Sequence, residues 1–302
     1  MEKAAHGRAG GKVILLGEHA VVYGRPALAT GIALGVDATL EVGQGPRLVS
    51  DEPDDDRGVR LVAEVARAVG LDPSRTIVRV RSALPAGRGL GSSAALCVAV
   101  LRAAAAAAKR ALTVDDELAL GRRFEAIFHG TPSGVDPAAA ALGSCFRFVR
   151  GEPPDVTPVV PGRPIGLVVG FGERPRSTGS AVGGLRARWE TDRARYEGLF
   201  DEIGAIVDDG IRAARAGDLA ALGAAFDRNQ AVLEALGVSS RDVEQLVACA
   251  RAAGALGAKL TGGGAGGAAI AVGENPEALA AALRRRGVTT LIVDVARETQ
   301  AA

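Results

Sequence analysis

Leu84-Pro85-Ala86-Gly87-Arg88-Gly89-Leu90-Gly91-Ser92-Ser93-Ala94-Ala95 lies between a β-branched run, Thr76 to Ser82, and an alanine-rich run from Ser93 to Leu112. This order predicts a strand, a glycine-rich loop and a long helix. Gly87, Gly89 and Gly91 let the backbone turn sharply and let an anion approach without a Cβ in the way. The helix start adds unpaired N–H groups and the positive end of its dipole. Ser92 and Ser93 are placed to cap that end and to offer hydroxyls to a phosphate or a metal ion. Taken alone, the stretch fits either a cradle for a di- or triphosphate or a tight turn before a serine-capped helix. Two familiar nucleotide motifs are excluded. No lysine precedes the serines, and the glycine spacing is not that of a dinucleotide-binding turn.

Upstream, Lys12-Val13-Ile14-Leu15-Leu16-Gly17-Glu18-His19 begins as a buried strand and ends in a polar turn, followed by Ala20 to Gly24. Lys12, Glu18, His19 and Tyr23 thus gather around one strand end. On their own they also fit a solvated lysine and a structural histidine. Further strand and helix patterns cover Ala33 to Val42 and Leu61 to Val69. Downstream, Thr113 is a predicted N-cap, with Asp115 and Asp116 in the first turn of its helix. Val114, Leu118, Phe124 and Phe128 recur at helical spacing, and Glu125 falls on their inward stripe. A carboxylate there needs a partner, either Arg122 or Arg123 or a bound cation. His129-Gly130-Thr131-Pro132-Ser133-Gly134-Val135-Asp136 closes that helix with a loop.

The proline-rich stretch 152–164 reads as a linker before a strand at Ile165 to Phe171. Arg174 to Thr178 reads equally as a basic turn or as part of a site. Helices are predicted over Leu185 to Ala214, Asp218 to Leu236, and from the Ser239/Ser240 cap to Ala253. Trp189, the single tryptophan, fits core packing or a helix interface. Lys259-Leu260-Thr261-Gly262-Gly263-Gly264-Ala265-Gly266-Gly267 is a second glycine-rich turn. A strand (Ala268 to Val272), a helix (Pro276 to Arg286) and a strand (Thr290 to Val295) follow it.

Composition bounds the rest. The 302 residues carry a net charge of +1, which gives no general pull toward nucleic acid or a membrane surface. Hydrophobic residues make up 48% but aromatics only 3%, so the core must be packed closely from small side chains. No run reaches the roughly 18 apolar residues of a membrane span, and the first residues do not read as a secretory signal. Cys97, Cys145 and Cys249 show neither metal-ligand spacing nor a disulfide pattern, so a cytoplasmic protein is expected.

Four strings, taken together, resemble one family. Pro85-x-x-x-Gly-Leu-Gly-Ser-Ser-Ala-Ala95 is similar to the phosphate loop of the galactokinase, homoserine kinase, mevalonate kinase and phosphomevalonate kinase (GHMP) superfamily. Lys12-x-Ile-Leu-x-Gly-Glu-His-Ala-Val-Val-Tyr-Gly24 and His129-Gly-x-Pro-Ser-Gly-x-Asp136 resemble the mevalonate kinases within it. Lys259-Leu-Thr-Gly-x-Gly-x-Gly-Gly267 resembles the superfamily's third motif.

The resemblance implies an α+β, two-domain GHMP kinase fold. A ribosomal-protein-S5-domain-2-like half (1–163) and a ferredoxin-like half (164–302) would flank an active-site cleft. It implies phosphorylation of mevalonate by ATP with Mg²⁺. The implied catalytic pair is Lys12 and Asp136. Glu18, His19, Tyr23 and Thr178 would line the substrate pocket. Pro85, Gly87, Gly89, Leu90, Gly91, Ser92, Ser93, Ala94, Gly263 and Gly264 would bind ATP, and Ser93 with Glu125 would hold Mg²⁺. The match is partial at Thr178, where Gly179 replaces an expected basic residue. Arg88 is read as solvated, and a homodimer is expected. The alternatives are a sister kinase acting on phosphomevalonate, the 3-hydroxyl of mevalonate, homoserine or a sugar, and a nucleotide or metabolite sensor without turnover.

Overall fold

A computed structural model describes residues 4–51, 56–85, 87–129, 133–172, 179–263 and 267–295, with backbone alone for 179–183. In chain order the first half holds β1 (Ala5–Leu16), β2 (Ala27–Val42), β3 (Arg47–Val49), α1 (Asp56–Val69) and β4 (Thr76–Ser82). It continues with α2 (Ser92–Ala107), α3 (Val114–Glu125), α4 (Val135–Leu142), β5 (Cys145–Val149) and β6 (Asp155–Pro158). The second half holds β7 (Ile165–Phe171), α5 (Gly179–Thr191), α6 (Arg193–Ala216), α7 (Leu219–Ala235) and α8 (Arg241–Ala252). Then come β8 (Gly257–Leu260), β9 (Ala268–Val272), α9 (Pro276–Arg284) and β10 (Thr289–Val295).

The two halves have separate sheets. In the first, the long β2 pairs antiparallel with β1 along its length, and its other edge is shared between β4 and β5. In the second, the order is β10-β7-β9-β8. Renumbered within that sheet this is 4-1-3-2, the all-antiparallel order of a ferredoxin-like split βαβ unit.

The alanine-rich α2 shows how small side chains make a core. Ala94, Ala95, Ala99, Ala103, Ala104 and Ala105 are all buried. Gly7 of β1 lies so close to the backbone of Ala99 and Ala103 that a Cβ there would overlap it. Helix and strand therefore meet at backbone distance, and α2 is fixed along its length relative to β1.

Several local expectations are corrected. Helix α2 stops at Ala107, not Leu112, because Lys109 adopts a left-handed φ of 53° and Arg110 N–H closes back on the Ala105 carbonyl. Val114 is exposed, since it sits at the first position of α3, outside the packed stripe. The proline-rich 152–164 stretch is not a bare linker, for Asp155–Pro158 pairs with β5. The single helix read across 185–214 breaks at Asp192, whose carboxylate caps α6. Strand β2 begins at Ala27, earlier than Ala33, because its first residues pair with both β1 and β5. Among the described residues no helix is long and apolar enough to cross a membrane.

Candidate active site

The glycine-rich loop folds as an alternation. Gly87, Gly89 and Gly91 take φ of 65°, 76° and 75°, and the residues between them keep negative φ. Left-handed glycines of this kind suit a backbone loop that offers its N–H groups to an anion. Gly91, not Ser92 or Ser93, is the N-cap of α2, so neither serine caps the helix. A left-handed N-cap suits glycine, and it leaves both hydroxyls uncommitted to the backbone. Ser93 Oγ instead lies 3.1 Å from His129 Nε2. The first turn of α2 holds no acidic residue, whereas that of α3 holds Asp115, Asp116 and Glu117. The positive end of the α2 dipole is therefore left for an external anion. Leu90 and Ala94 are buried, so they face the core and only their backbone is offered to a ligand, while Pro85 is half-buried at the loop's entrance.

The loop is tied to β1, because Lys12 N–H donates to the Leu90 carbonyl at 2.9 Å. The Lys12 stem passes against Gly91, where an added Cβ would lie 2.6 Å from its Cγ. Its Nζ then reaches Asp136 Oδ2 at 3.2 Å. Asp136 stands in the first turn of α4, which Gly134 opens with a φ of 93°. Asp136 is thus a helix-start residue aimed at Lys12.

Glu125, at the C-terminal end of α3, is 3% exposed. The arginine partners considered for it go elsewhere, Arg122 to Glu152 and Arg123 to Glu64. Among the described residues no side chain hydrogen-bonds or ion-pairs with Glu125. Burial pushes its carboxyl well above the usual range, and the Asp136 charge adds to the rise while Lys12 opposes it. A buried carboxylate left in this state fits a bound cation.

After β1 the chain turns through Gly17 (φ 99°) and His19 (φ 63°). An added Cβ at Gly17 would meet Ala27 Cα and the Pro26 carbonyl oxygen at 2.6 Å. Positive φ in a histidine costs roughly 1–3 kcal/mol; here the ring is buried. Burial lowers the His19 pKa to about 4, so the ring is neutral at pH 7. Glu18 forms a fully buried ion pair with Lys259 of β8. Burial raises the Glu18 carboxyl and lowers the Lys259 ammonium, and each partner's charge opposes the other's shift. Tyr23 stacks on Phe200 with ring centroids 4.2 Å apart and meets Trp189 at 5.2 Å. Trp189 donates to Glu197, so it serves the α5–α6 interface beside the site.

The site thus forms where the two halves meet. Thr261 Oγ donates to the Ile14 carbonyl at 3.0 Å, which ties the second glycine-rich turn to β1. Gly262 packs against Gly89, which brings the second glycine turn onto the phosphate loop. Arg88 is not solvated, for it donates to the Gly172 carbonyl at 2.5 Å and lies over the Phe171 ring. Gly263 is described; Gly264 and Thr178, with the whole Arg174–Thr178 segment, lie outside the described residues.

A GHMP kinase N-terminal domain model matches residues 58–144, and a GHMP kinase C-terminal model matches residues 211–288. The chain is also 33% identical to a mevalonate kinase of Pyrococcus horikoshii, covering 95% of this chain and 94% of that one. The chain belongs to the mevalonate kinase family. A second relative, the mevalonate kinase of Pyrococcus abyssi, is 31% identical over 95% of this chain and 94% of its own. The fold agrees with a solved L. major mevalonate kinase in complex with R-mevalonate. That comparison gives a TM-score of 0.83 at 27% identity and covers 100% of this chain and 98% of the other. Within this mevalonate kinase frame, the sequence reading passed over two residues that help build the site. Lys259 has no role assigned by its motif, although a lysine between Ala258 and Leu260 in a short strand is a signal of enforced burial. Asn229 lay in a stretch where only helices were legible.

Proposed function

We propose that the protein transfers the γ-phosphoryl group of ATP to the C5 hydroxyl of (R)-mevalonate, giving ADP and 5-phosphomevalonate. The observation that carries this is the Lys12–Asp136 pair, 3.2 Å apart, held against a loop of left-handed glycines at an uncompensated helix start. The loop and the α2 N-terminus bind the triphosphate. Lys12 offsets charge that develops between the transferred phosphoryl and the acceptor oxygen. Asp136 orients the acceptor hydroxyl and takes its proton. Glu18, His19 and Tyr23 line the acceptor side, with Thr178 assigned there by the family pattern. Residues 1–163 and 164–302 are the two lobes, and the assembly is a homodimer in the cytoplasm.

Glu125 and Ser93 are the residues proposed to hold Mg²⁺, because Glu125 is a buried carboxylate with no paired cation among the described residues. When bound, the ion neutralises phosphate charge. Glu125→Gln keeps the shape and removes the charge. It is expected to raise KM for Mg·ATP about tenfold or more and to leave KM for mevalonate nearly unchanged. Separate titrations of the two substrates check this, and the reverse pattern would move Glu125 to the acceptor pocket.

The reaction is tested by incubating the protein with Mg·ATP and (R)-mevalonate and locating the phosphate by phosphorus and carbon NMR. Phosphate on C5 is the expected outcome. Phosphate on C3, or turnover only with phosphomevalonate, would replace this reading with that of a sister kinase. Nucleotide binding without ADP release from any acceptor would support the sensor.

A further inference from the structure

Helix α7 carries consecutive buried polar residues, Asn229 and Gln230, and both are spent on other elements. Gln230 Oε1 accepts from Leu260 N–H at 2.8 Å, and its amide donates to Glu234 and Ser239. One turn earlier, Asp227 Oδ1 accepts from Ala258 N–H at 3.0 Å. These two residues clamp strand β8 on either side of Lys259. Asn229 reaches the other way, and its Oδ1 accepts from Gly17 N–H at 3.1 Å. One helix therefore holds both the strand that carries Lys259 and the turn that carries Glu18.

The orientation of the Asn229 amide is settled by its partner. Gly17 N–H is a donor, so the oxygen must face it and Nδ2 must turn away. Among the described residues, that Nδ2, Glu18 Oε2 and His19 Nε2 are buried without a hydrogen-bond partner. Three unsatisfied polar atoms lie on one turn and its tether. Each costs free energy until something hydrogen-bonds it. The turn is gripped from the α7 side and left with open valences for a polar ligand or ordered water.

We propose that Asn229 is a positioning residue for the acceptor pocket: through the Gly17 amide, α7 sets the placement of Glu18 and His19 across the junction of the two halves. This rests on the phosphotransfer reading above. Asn229 touches neither the phosphate loop nor Asp136 through any described hydrogen bond, so its effect falls on the acceptor and not on the nucleotide.

Two measurements on the full-length protein test it. In the first, Asn229→Ala removes the acceptor for Gly17 N–H. KM for mevalonate should rise about tenfold, the scale of one lost buried hydrogen bond, with KM for ATP unchanged. In the second, hydrogen exchange without ligand should show lost amide protection in the Gly17 segment but not in α2. Unchanged KM for both substrates, or both rising in step with a loss of folded protein, would overturn the proposal. If the alanine variant does not fold, Asn229→Asp decides. It keeps an oxygen for Gly17 N–H, so it should retain Gly17 protection together with a KM for mevalonate near that of the parent. A KM raised about tenfold while Gly17 protection is intact overturns the idea. If the wild-type protein fails to phosphorylate mevalonate, the phosphotransfer reading falls, while the exchange measurement still decides whether Asn229 holds the turn.

Discussion

Asp136→Asn is expected to lower kcat by about a thousandfold, within the range of a lost general base, while Mg·ATP binds as in the parent. The variant keeps the size of the side chain and one oxygen that can accept a hydrogen bond. It loses the charge that Lys12 Nζ meets at 3.2 Å and the ability to take a proton. Asp136 reaches the site from the first turn of α4, whereas the phosphate loop hangs on β1 and α2. The nucleotide side should therefore be preserved. A thousandfold loss corresponds to about 4 kcal/mol of transition-state stabilisation. The measurement is single-turnover phosphoryl transfer at saturating substrates, with nucleotide binding followed separately. Phosphoryl transfer through a loose transition state asks little of a base before the bond to the leaving oxygen breaks. Residual turnover in Asp136→Asn thus measures how much of the residue's effect is positioning. A variant that turns over near the parent rate would remove Asp136 from the catalytic pair.

The parts of this site that could be read from sequence are those in which a local backbone demand leaves a residue signature. Left-handed glycines at 87, 89 and 91 are such a demand, and so is the Thr113 capping box, in which Thr113 and Asp116 satisfy each other's backbone N–H groups. Strands β4, β7 and β9 begin and end where β-branched or apolar runs meet turn residues. What stayed illegible was pairing at long range. Lys259 is 241 residues from Glu18, and Asn229 is 212 residues from Gly17. No spacing rule connects such residues, because the contact exists only once the two sheets are docked. The serine caps failed for a related reason. Ser92 and Ser93 satisfy the cap preference, but Gly91 can enter the left-handed region and takes the cap position itself. Glu125 was placed correctly on the inward face, yet its neighbours in sequence are drawn off by Glu152 and Glu64. Arg88 reads as solvated because the Gly172 carbonyl that binds it belongs to the other half.

The buried Glu18–Lys259 pair supplies the second large expectation, this one in stability. Lys259→Met leaves a carboxylate that is 1% exposed without its cation, and Glu18→Gln leaves an ammonium that is fully buried. Removing one member of such a pair is expected to destabilise the protein by about 3–5 kcal/mol, whereas removing both should cost much less than the sum. The remaining loss in the double variant reflects the Leu260 carbonyl, to which Lys259 also donates at 2.6 Å. Urea unfolding of the parent, both single variants and the double variant closes the cycle. The charge origin of the effect has a separate signature in pH. In Lys259→Met, burial raises the Glu18 pKa with little to oppose it, so the folded state holds a proton that the unfolded chain releases above about 4.5. Stability tied to that proton is fully present below the unfolded pKa and is lost as pH rises through the folded one. The deficit of Lys259→Met against the parent should therefore shrink on acidification toward pH 4.5. A cavity left by a lost side chain would not behave this way, since its cost does not depend on proton binding. A deficit flat in pH, with single-variant losses that simply add, would show that Glu18 and Lys259 do not act as a pair in joining the two halves.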